Sequence, residues 1–193
     1  MRQRLTRFAA VGLVALFAIV LGACAAVSPS PQESAAIETR LATALRALGF
    51  ADGKLPPLKP AFGNYVDAVQ SGNMLYLSSA AGQRPDGQFA RGRVPDQASV
   101  EAAIVAAKLA CVRQVNRIKL AVGDLARVKR IVSVRGKIWT QEGFTDTTKI
   151  TDGCSAFIVE VFGEAGKHTR TTEGMTSLPF GVTLEVDVLV ELH

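Results

Sequence analysis

Histidine and cysteine are scarce in this chain of 193 residues, which has two histidines and three cysteines. The histidines are His168 and His193, and no two cysteines have the two-residue spacing of a metal-binding or redox motif. These absences argue against histidine-dependent metal chemistry and against a cysteine-rich scaffold. We therefore expect neither a metal site nor a cofactor.

An excess of basic charge is also missing once the N-terminal segment is set apart. The chain has 22 Lys and Arg against 17 Asp and Glu. Three of the basic residues, Arg2, Arg4 and Arg7, lie within residues 1–24, and that segment contains no Asp or Glu. Without these three the balance is 19 to 17, a net charge of +2. Binding of nucleic acid needs a clustered basic face, so we expect no nucleic-acid partner.

One long hydrophobic run is present, and it lies at the N-terminus from Phe8 to Ala23. It ends in Leu21-Gly22-Ala23-Cys24, which looks like a bacterial lipobox. We expect residues 1–24 to be a lipoprotein signal segment, with Cys24 lipidated as the mature N-terminus. The alternatives are an ordinary signal peptide with a chance cysteine and an uncleaved anchor. The preferred interpretation predicts an exported protein whose only membrane attachment is lipid. The residue directly after Cys24 is Ala25, so there is no acidic retention signal at that position. The outer membrane is therefore favoured in a Gram-negative host.

The other two cysteines, Cys111 and Cys154, each lie on the apolar face of a predicted helix. In an oxidising compartment they could pair. Their positions favour two buried free thiols, and the sequence leaves the pairing open.

The remaining chain predicts one α+β domain. Residues 25–33 form a small-residue tether, and residues 34–62 contain a helix from Ile37 to Leu48 and an extended proline-rich stretch. The later patterns predict a hairpin around Ser71-Gly72-Asn73, a short strand near 88–94, a helix ending at Gly123, a strand over 128–138, a helix over 146–162 and a strictly alternating last strand. In this arrangement the helices cover one face of the sheet.

The second sheet face is predicted to be mixed. Polar Ser78, Ser133, Glu185 and Asp187 alternate with apolar Leu77 and Leu189 there. Such a face meets either water or another subunit, and the pattern slightly favours assembly. On the core side, Val128, Val132, Val134 and Ile138 are expected to share one face of their strand.

Seven short motifs in order resemble the RidA family, also called YjgF-like or endoribonuclease L-PSP. They are Gly63-Asn64-Tyr65-Val66, Ser71-Gly72-Asn73-Met74-Leu75, Val122-Gly123-Asp124-Leu125, Val159-Glu160-Val161-Phe162-Gly163, Thr169-Arg170-Thr171, Ser177-Leu178-Pro179 and Leu184-Glu185-Val186. The resemblance covers residues 63–193. It implies a chorismate-mutase-like fold, an antiparallel-rich mixed sheet with two main helices on one face, and a homotrimer with ligand clefts between subunits. It also implies hydrolysis of enamines and imines such as 2-aminoacrylate to 2-keto acids and ammonia.

The same resemblance assigns candidate site residues. Arg170 matches an arginine whose planar fork can bind a substrate carboxylate. Glu185 matches a carboxylate that orients or activates the attacking water, although strand alternation explains it equally well. Tyr65 would line the cleft, with core packing as the competing interpretation. Ser78 and Ser79 would contact substrate.

Three departures from the family pattern bear on activity. The stretch Ser78-Ser79-Ala80 lacks a glycine and a polar partner, Asp152 stands where asparagine is common, and Lys167-His168-Thr169 replaces a proline-containing stretch. A negative charge at Asp152 would disfavour a carboxylate ligand unless Arg170 or another cation offsets it. Imine hydrolysis outside the cytoplasm is therefore the first hypothesis. A non-catalytic trimeric module that binds a small carboxylate is the second. Ribonuclease activity is disfavoured by the small net charge and the lack of a histidine pair.

Overall fold

The computed structural model describes residues 29–193, and the predicted signal segment with Cys24 lies outside them. The helices are α1 (Pro31–Ala47), α2 (Val100–Val122) and α3 (Thr147–Phe162). The strands are β1 (Ala68–Ser71), β2 (Met74–Leu77), β3 (Ala80–Ala81), β4 (Val128–Trp139), β5 (Thr169–Met175) and β6 (Leu184–Leu192). Short 3₁₀ turns follow α2 and α3 and precede β6. Within the described range no helix is both long and apolar enough to cross a membrane.

Helix α2 ends at Gly123, as the sequence predicts. The Ser99 side chain accepts a hydrogen bond from the Ala102 amide, and Gly123 ends the helix at a positive φ. Helix α1 starts earlier than expected, because Ser30 caps it and Pro31 occupies its first turn. Residues 31–33 of the predicted tether are therefore helical.

The sheet has the order β1-β2-β6-β4-β5, with β3 also paired to β6. Strands β4 and β5 run parallel and the other pairs are antiparallel. The predicted alternation of the last strand is confirmed: its five inward residues, Leu184, Val186, Val188, Val190 and Leu192, are at most 4% exposed. They pack with residues of α2 and α3 in the hydrophobic core. The domain is therefore α+β, with a mixed sheet and helices on one of its faces, as the sequence predicts.

Two details of the predicted strands are wrong. A register irregularity in β4 turns Ile131 into the core in place of Val132, which is only half-buried. The segment near residues 88–94 makes isolated bridges at Phe89, Arg91 and Val94 instead of a continuous strand.

The outer sheet face, opposite the helices, presents a row of apolar side chains. Leu75 and Leu77 face the core, so Tyr76 between them points outward; the expectation that Leu77 lies on the outer face is wrong. Tyr76 pairs with Val69 on β1 and with Leu189 on β6, and residues paired in this way share a face. Val69 and Tyr76 are each 53% exposed in the single chain.

A disulfide joins Cys111 of α2 to Cys154 of α3 in the core. Both residues are fully buried, as the sequence predicts, but the preference for free thiols is wrong. Packing of α2 against α3 brings the two Cα atoms to 5.4 Å, which is within the range that a disulfide can span.

Candidate functional site

Polar side chains of α2 position the segment that follows β2. Gln114 donates to the carbonyls of Ser78 (3.1 Å) and Val186 (2.5 Å). Arg117 donates to the carbonyls of Ser78 (2.5 Å) and Ser79 (2.9 Å). These buried donors satisfy backbone carbonyls that would otherwise lie unpaired beside the core, and so they hold Ser79 against β6.

Ser79 belongs to a charged cluster on the outer sheet face. The Lys137 ammonium contacts Ser79 Oγ at 2.5 Å, Asp187 Oδ1 at 3.0 Å and Glu185 Oε2 at 3.8 Å. Ser79 Oγ also donates to Asp187. Lys137 thus places a positive charge between two carboxylates that would otherwise repel each other, and it restrains Glu185 in its half-buried position.

A cavity of about 530 Å³ opens beside this cluster, and Tyr65, Ser79 and Glu185 all line it. The structure therefore brings together three of the predicted site residues. Tyr65 is 50% exposed, which rules out the core-packing interpretation for it. Ser78 is not among the lining residues, because its hydroxyl donates to the Val66 carbonyl at 2.7 Å.

Arg170 lies on the other face of the sheet. It pairs in parallel register with Val134, which is 1% exposed in the core, so the Arg170 side chain points to the helix side. Glu185 pairs with Lys137, three residues further along β4 and therefore on the opposite face. Arg170 and Glu185 of the same chain therefore cannot both contact one small ligand.

On the helix side, Arg170 meets the polar residues of α3. Its guanidinium donates to Asp152 and lies 3.4 Å from Ser155 Oγ. Asp152 is therefore a direct partner of Arg170, which explains how the charge that departs from the family pattern is offset.

His168 completes this polar group. Its Nδ1 lies 2.6 Å from the Gly166 carbonyl oxygen, which can only accept, so Nδ1 carries the proton. In the neutral ring Nε2 then accepts from the Ser155 hydroxyl, 2.9 Å away. This chain of hydrogen bonds orients Ser155 toward Arg170.

Sequence reasoning missed the cationic residues around the cavity, among them Arg113, Arg117 and Lys137. The first two also line it. The available signal was a pair of arginines one turn apart in the same helix. Lys137 could not have been selected, because its proximity to Glu185 depends on strand register.

The two helix arginines differ in their pairing. Arg117 makes an ion pair with Asp67 (2.7 Å). Arg113 has no carboxylate partner within residues 29–193. Burial, with a smaller contribution from the charge of Arg117, lowers the pKa of Arg113 from its usual value.

Metal ligands are not grouped in the part of the chain that is described. Over residues 29–193 no three His, Cys, Asp or Glu side chains are arranged to hold a metal ion.

The architecture defines a class: a mixed sheet with two long helices packed on one face, as in chorismate-mutase-like proteins. The chain belongs to the family described as "YjgF/chorismate_mutase-like, putative endoribonuclease", which matches residues 44–192. Protein TCP17 of Trypanosoma cruzi is similar to this chain: the two are 36% identical over 155 residues, which cover 80% of this chain and 95% of that protein.

Solved structures agree with this assignment. The Agrobacterium tumefaciens protein Atu1372, whose function is described as unknown, is 34% identical with a TM-score of 0.73, over 84% of this chain and 97% of that one. A Shewanella oneidensis protein given the same endoribonuclease description is 28% identical with a TM-score of 0.71, over 78% and 97% of the two chains.

Proposed function

We propose that this protein hydrolyses enamines and imines that carry a carboxylate, such as 2-aminoacrylate, to 2-keto acids and ammonia. The reaction would take place at sites shared between subunits of a homotrimer. The observation that carries the proposal is the division of the predicted site. Tyr65, Ser79 and Glu185 line one cavity, while Arg170 stands on the opposite sheet face. In a closed ring of identical subunits, each subunit can supply both halves to different neighbours.

Exposed apolar surface supports assembly. The row of Val69, Tyr76 and Leu189 crosses three strands of the outer face, next to the Lys137 cluster. Subunit contacts that cover this row would remove apolar surface from water, and this is the main favourable term in most associations.

The reaction needs a carboxylate binder and a group that handles water. After tautomerisation to the imine, the guanidinium of Arg170 would hold the substrate carboxylate, and Glu185 of the neighbouring subunit would accept a proton from the attacking water. The new C–O bond gives a carbinolamine. Protonation of its nitrogen and loss of the C–N bond release ammonia and leave the keto acid, so one water is consumed for each ammonia formed.

Export with lipid attachment at Cys24 is part of the proposal. The buried disulfide between Cys111 and Cys154 supports it, because disulfides persist in oxidising compartments outside the cytoplasm. Three acyl anchors in a trimer would hold the protein to a membrane more firmly than one.

Binding without turnover is the alternative function. The contact between Arg170 and Asp152 favours it, because the carboxylate of Asp152 occupies donors that a substrate would need. Under this alternative the trimer would bind a small carboxylate and release it unchanged.

The deciding experiment is subunit complementation. Arg170→Ala and Glu185→Gln are prepared separately, and loss of the imine released by a serine dehydratase is followed. We expect Arg170→Ala to lose about 2–4 kcal/mol of transition-state stabilisation. When the two inactive variants are unfolded together and refolded as an equal mixture, about a quarter of the shared sites would combine two intact halves and regain activity.

The outcomes separate the two functions. No acceleration by the well-folded parent protein would end the hydrolase proposal for this imine and favour binding alone. Activity in the parent without recovery in the mixture would show that the two residues do not act at one shared site.

A further inference from the structure

The cavity that contains Glu185 has an aromatic mouth. Phe62, Phe180 and Tyr65 line it and are 62%, 66% and 50% exposed. The ring of Phe62 lies 5.3 Å from that of Phe180 and 6.1 Å from that of Phe89, measured between centroids. This clustering offers flat apolar surface to a ligand that enters.

The inner wall of the same cavity is cationic. Arg113 and Arg117 both line it, and they are 5% and 3% exposed. Among the described residues only Asp67 forms an ion pair with either of them, and it does so with Arg117. Only one of these two buried guanidinium groups therefore has a carboxylate partner among the described residues, and an uncompensated buried charge is costly.

Arg113 is the group left uncompensated. Its Nη1 lies 3.4 Å from the Ala81 carbonyl, a long hydrogen bond, and its buried Nε has no partner. Its guanidinium carbon lies over the Phe89 ring, 5.0 Å from the ring centre, in a cation–π contact. A planar fork with unused donors matches the two oxygens of a carboxylate.

The size of the cavity selects among carboxylates. A volume of about 530 Å³ falls in the range of sites that enclose ligands much larger than a three-carbon acid. The aromatic mouth would bind the body of such a ligand while the cationic wall binds its charged end.

We infer that this cavity binds a small carboxylate with an aromatic or large apolar body, and that Arg113 holds the carboxylate within a single subunit. The inference goes beyond the proposed function, in which Arg170 holds the substrate carboxylate, by assigning a second carboxylate-binding group and a ligand class to the cavity that contains Glu185. It rests on that function only for turnover, because binding can be measured with an unreactive ligand. Arg113 is a binding residue distinct from Arg170.

The test uses 3-phenylpropionate as the probe, titrated calorimetrically into the full-length chain in detergent, with the heat of titrating detergent alone subtracted. Propionate lacks the ring, and 3-phenylpropanamide lacks the charge. We expect 3-phenylpropionate to bind at least about tenfold more tightly than either of them. This comparison needs no variant and does not depend on whether a substituted chain folds.

Variants then identify the ligand residue. Arg113→Gln should weaken binding of 3-phenylpropionate by about 30-fold or more, and Arg113→Lys, which keeps the charge but loses the fork, by less. Arg91→Gln is the matched control: Arg91 also lines the cavity but is exposed, so its loss should change affinity less than about threefold. Thermal unfolding of each variant reports whether it is folded.

Equal affinity for the carboxylate and its amide would overturn the inference, as would a folded Arg113→Gln that binds like the parent. Failure here is distinguishable from failure of the proposed function. Imine hydrolysis without 3-phenylpropionate binding removes the inference alone, whereas Arg113-dependent binding without hydrolysis removes the hydrolase proposal alone.

Discussion

Arg170 and Arg113 present the same functional group in two contrasting environments. Arg170 stands on β5 with the side chains of Asp152 and Ser155 beside it, and the Asp152 side chain is 64% exposed. Arg113 is buried in α2 next to a second guanidinium and has no carboxylate partner in the described chain. The comparison shows that matching a family arginine does not by itself find the arginine whose charge is left unbalanced. The arginine whose charge is unbalanced has more to gain from a ligand.

The disulfide connects the two regions, and its loss should have the largest effect on stability. Cys111 lies two residues before Arg113, and Cys154 precedes Ser155. For a sequence separation of 43 residues, removing the cross-link should lower the free energy of unfolding by about 4 kcal/mol. Urea unfolding with and without a thiol reductant measures this difference.

The control for that prediction is the Cys111→Ala, Cys154→Ala double variant, which should be as unstable as the reduced protein and insensitive to reductant. An equal midpoint for the oxidised and reduced parent would show that helix packing alone determines stability here.

Asp67→Asn tests the charge balance of the cavity wall and should have an intermediate effect. It removes the carboxylate that partners Arg117 and leaves two buried guanidinium groups uncompensated. We expect a loss of about 2–3 kcal/mol, below the value for a fully buried pair because the Asp67 side chain is 34% exposed. Chemical denaturation gives the number. An unchanged free energy of unfolding would mean that solvent already neutralises the pair.

Asp152→Asn makes the same chemical change at the other arginine and should have the smallest effect on stability, less than about 1 kcal/mol, because the pair is exposed. In contrast to this small loss of stability, the substitution should increase activity. Freed from its carboxylate partner, Arg170 should raise kcat/KM for the imine by about three- to tenfold. Steady-state kinetics of imine loss measure this change.

Glu164→Gln is the matched control for that prediction, since it removes a charge from another exposed pair on the neighbouring turn, with Lys167. A rate that falls in Asp152→Asn while the control stays unchanged would instead make Asp152 part of the catalytic machinery.

The sequence by itself determined the class of fold. The helical spacing of α2 and α3, the glycine at the end of α2 and the alternation of β6 are local patterns, and each depends only on neighbours a few residues away. The same patterns were sufficient to order the elements, and the resemblance to a known family selected Tyr65, Ser79, Glu185 and Arg170 as candidate site residues.

The tertiary structure alone decided how those residues are grouped. Strand register sends Arg170 and Glu185 to opposite faces, and helix packing joins the two cysteines and turns Arg113 into the cavity. Pairings of this kind join residues far apart in the chain, and a shift of one residue in register would reverse every face. Local periodicity therefore predicts the helices and strands of this protein, whereas the charge balance of its cavity arises only when the chain folds.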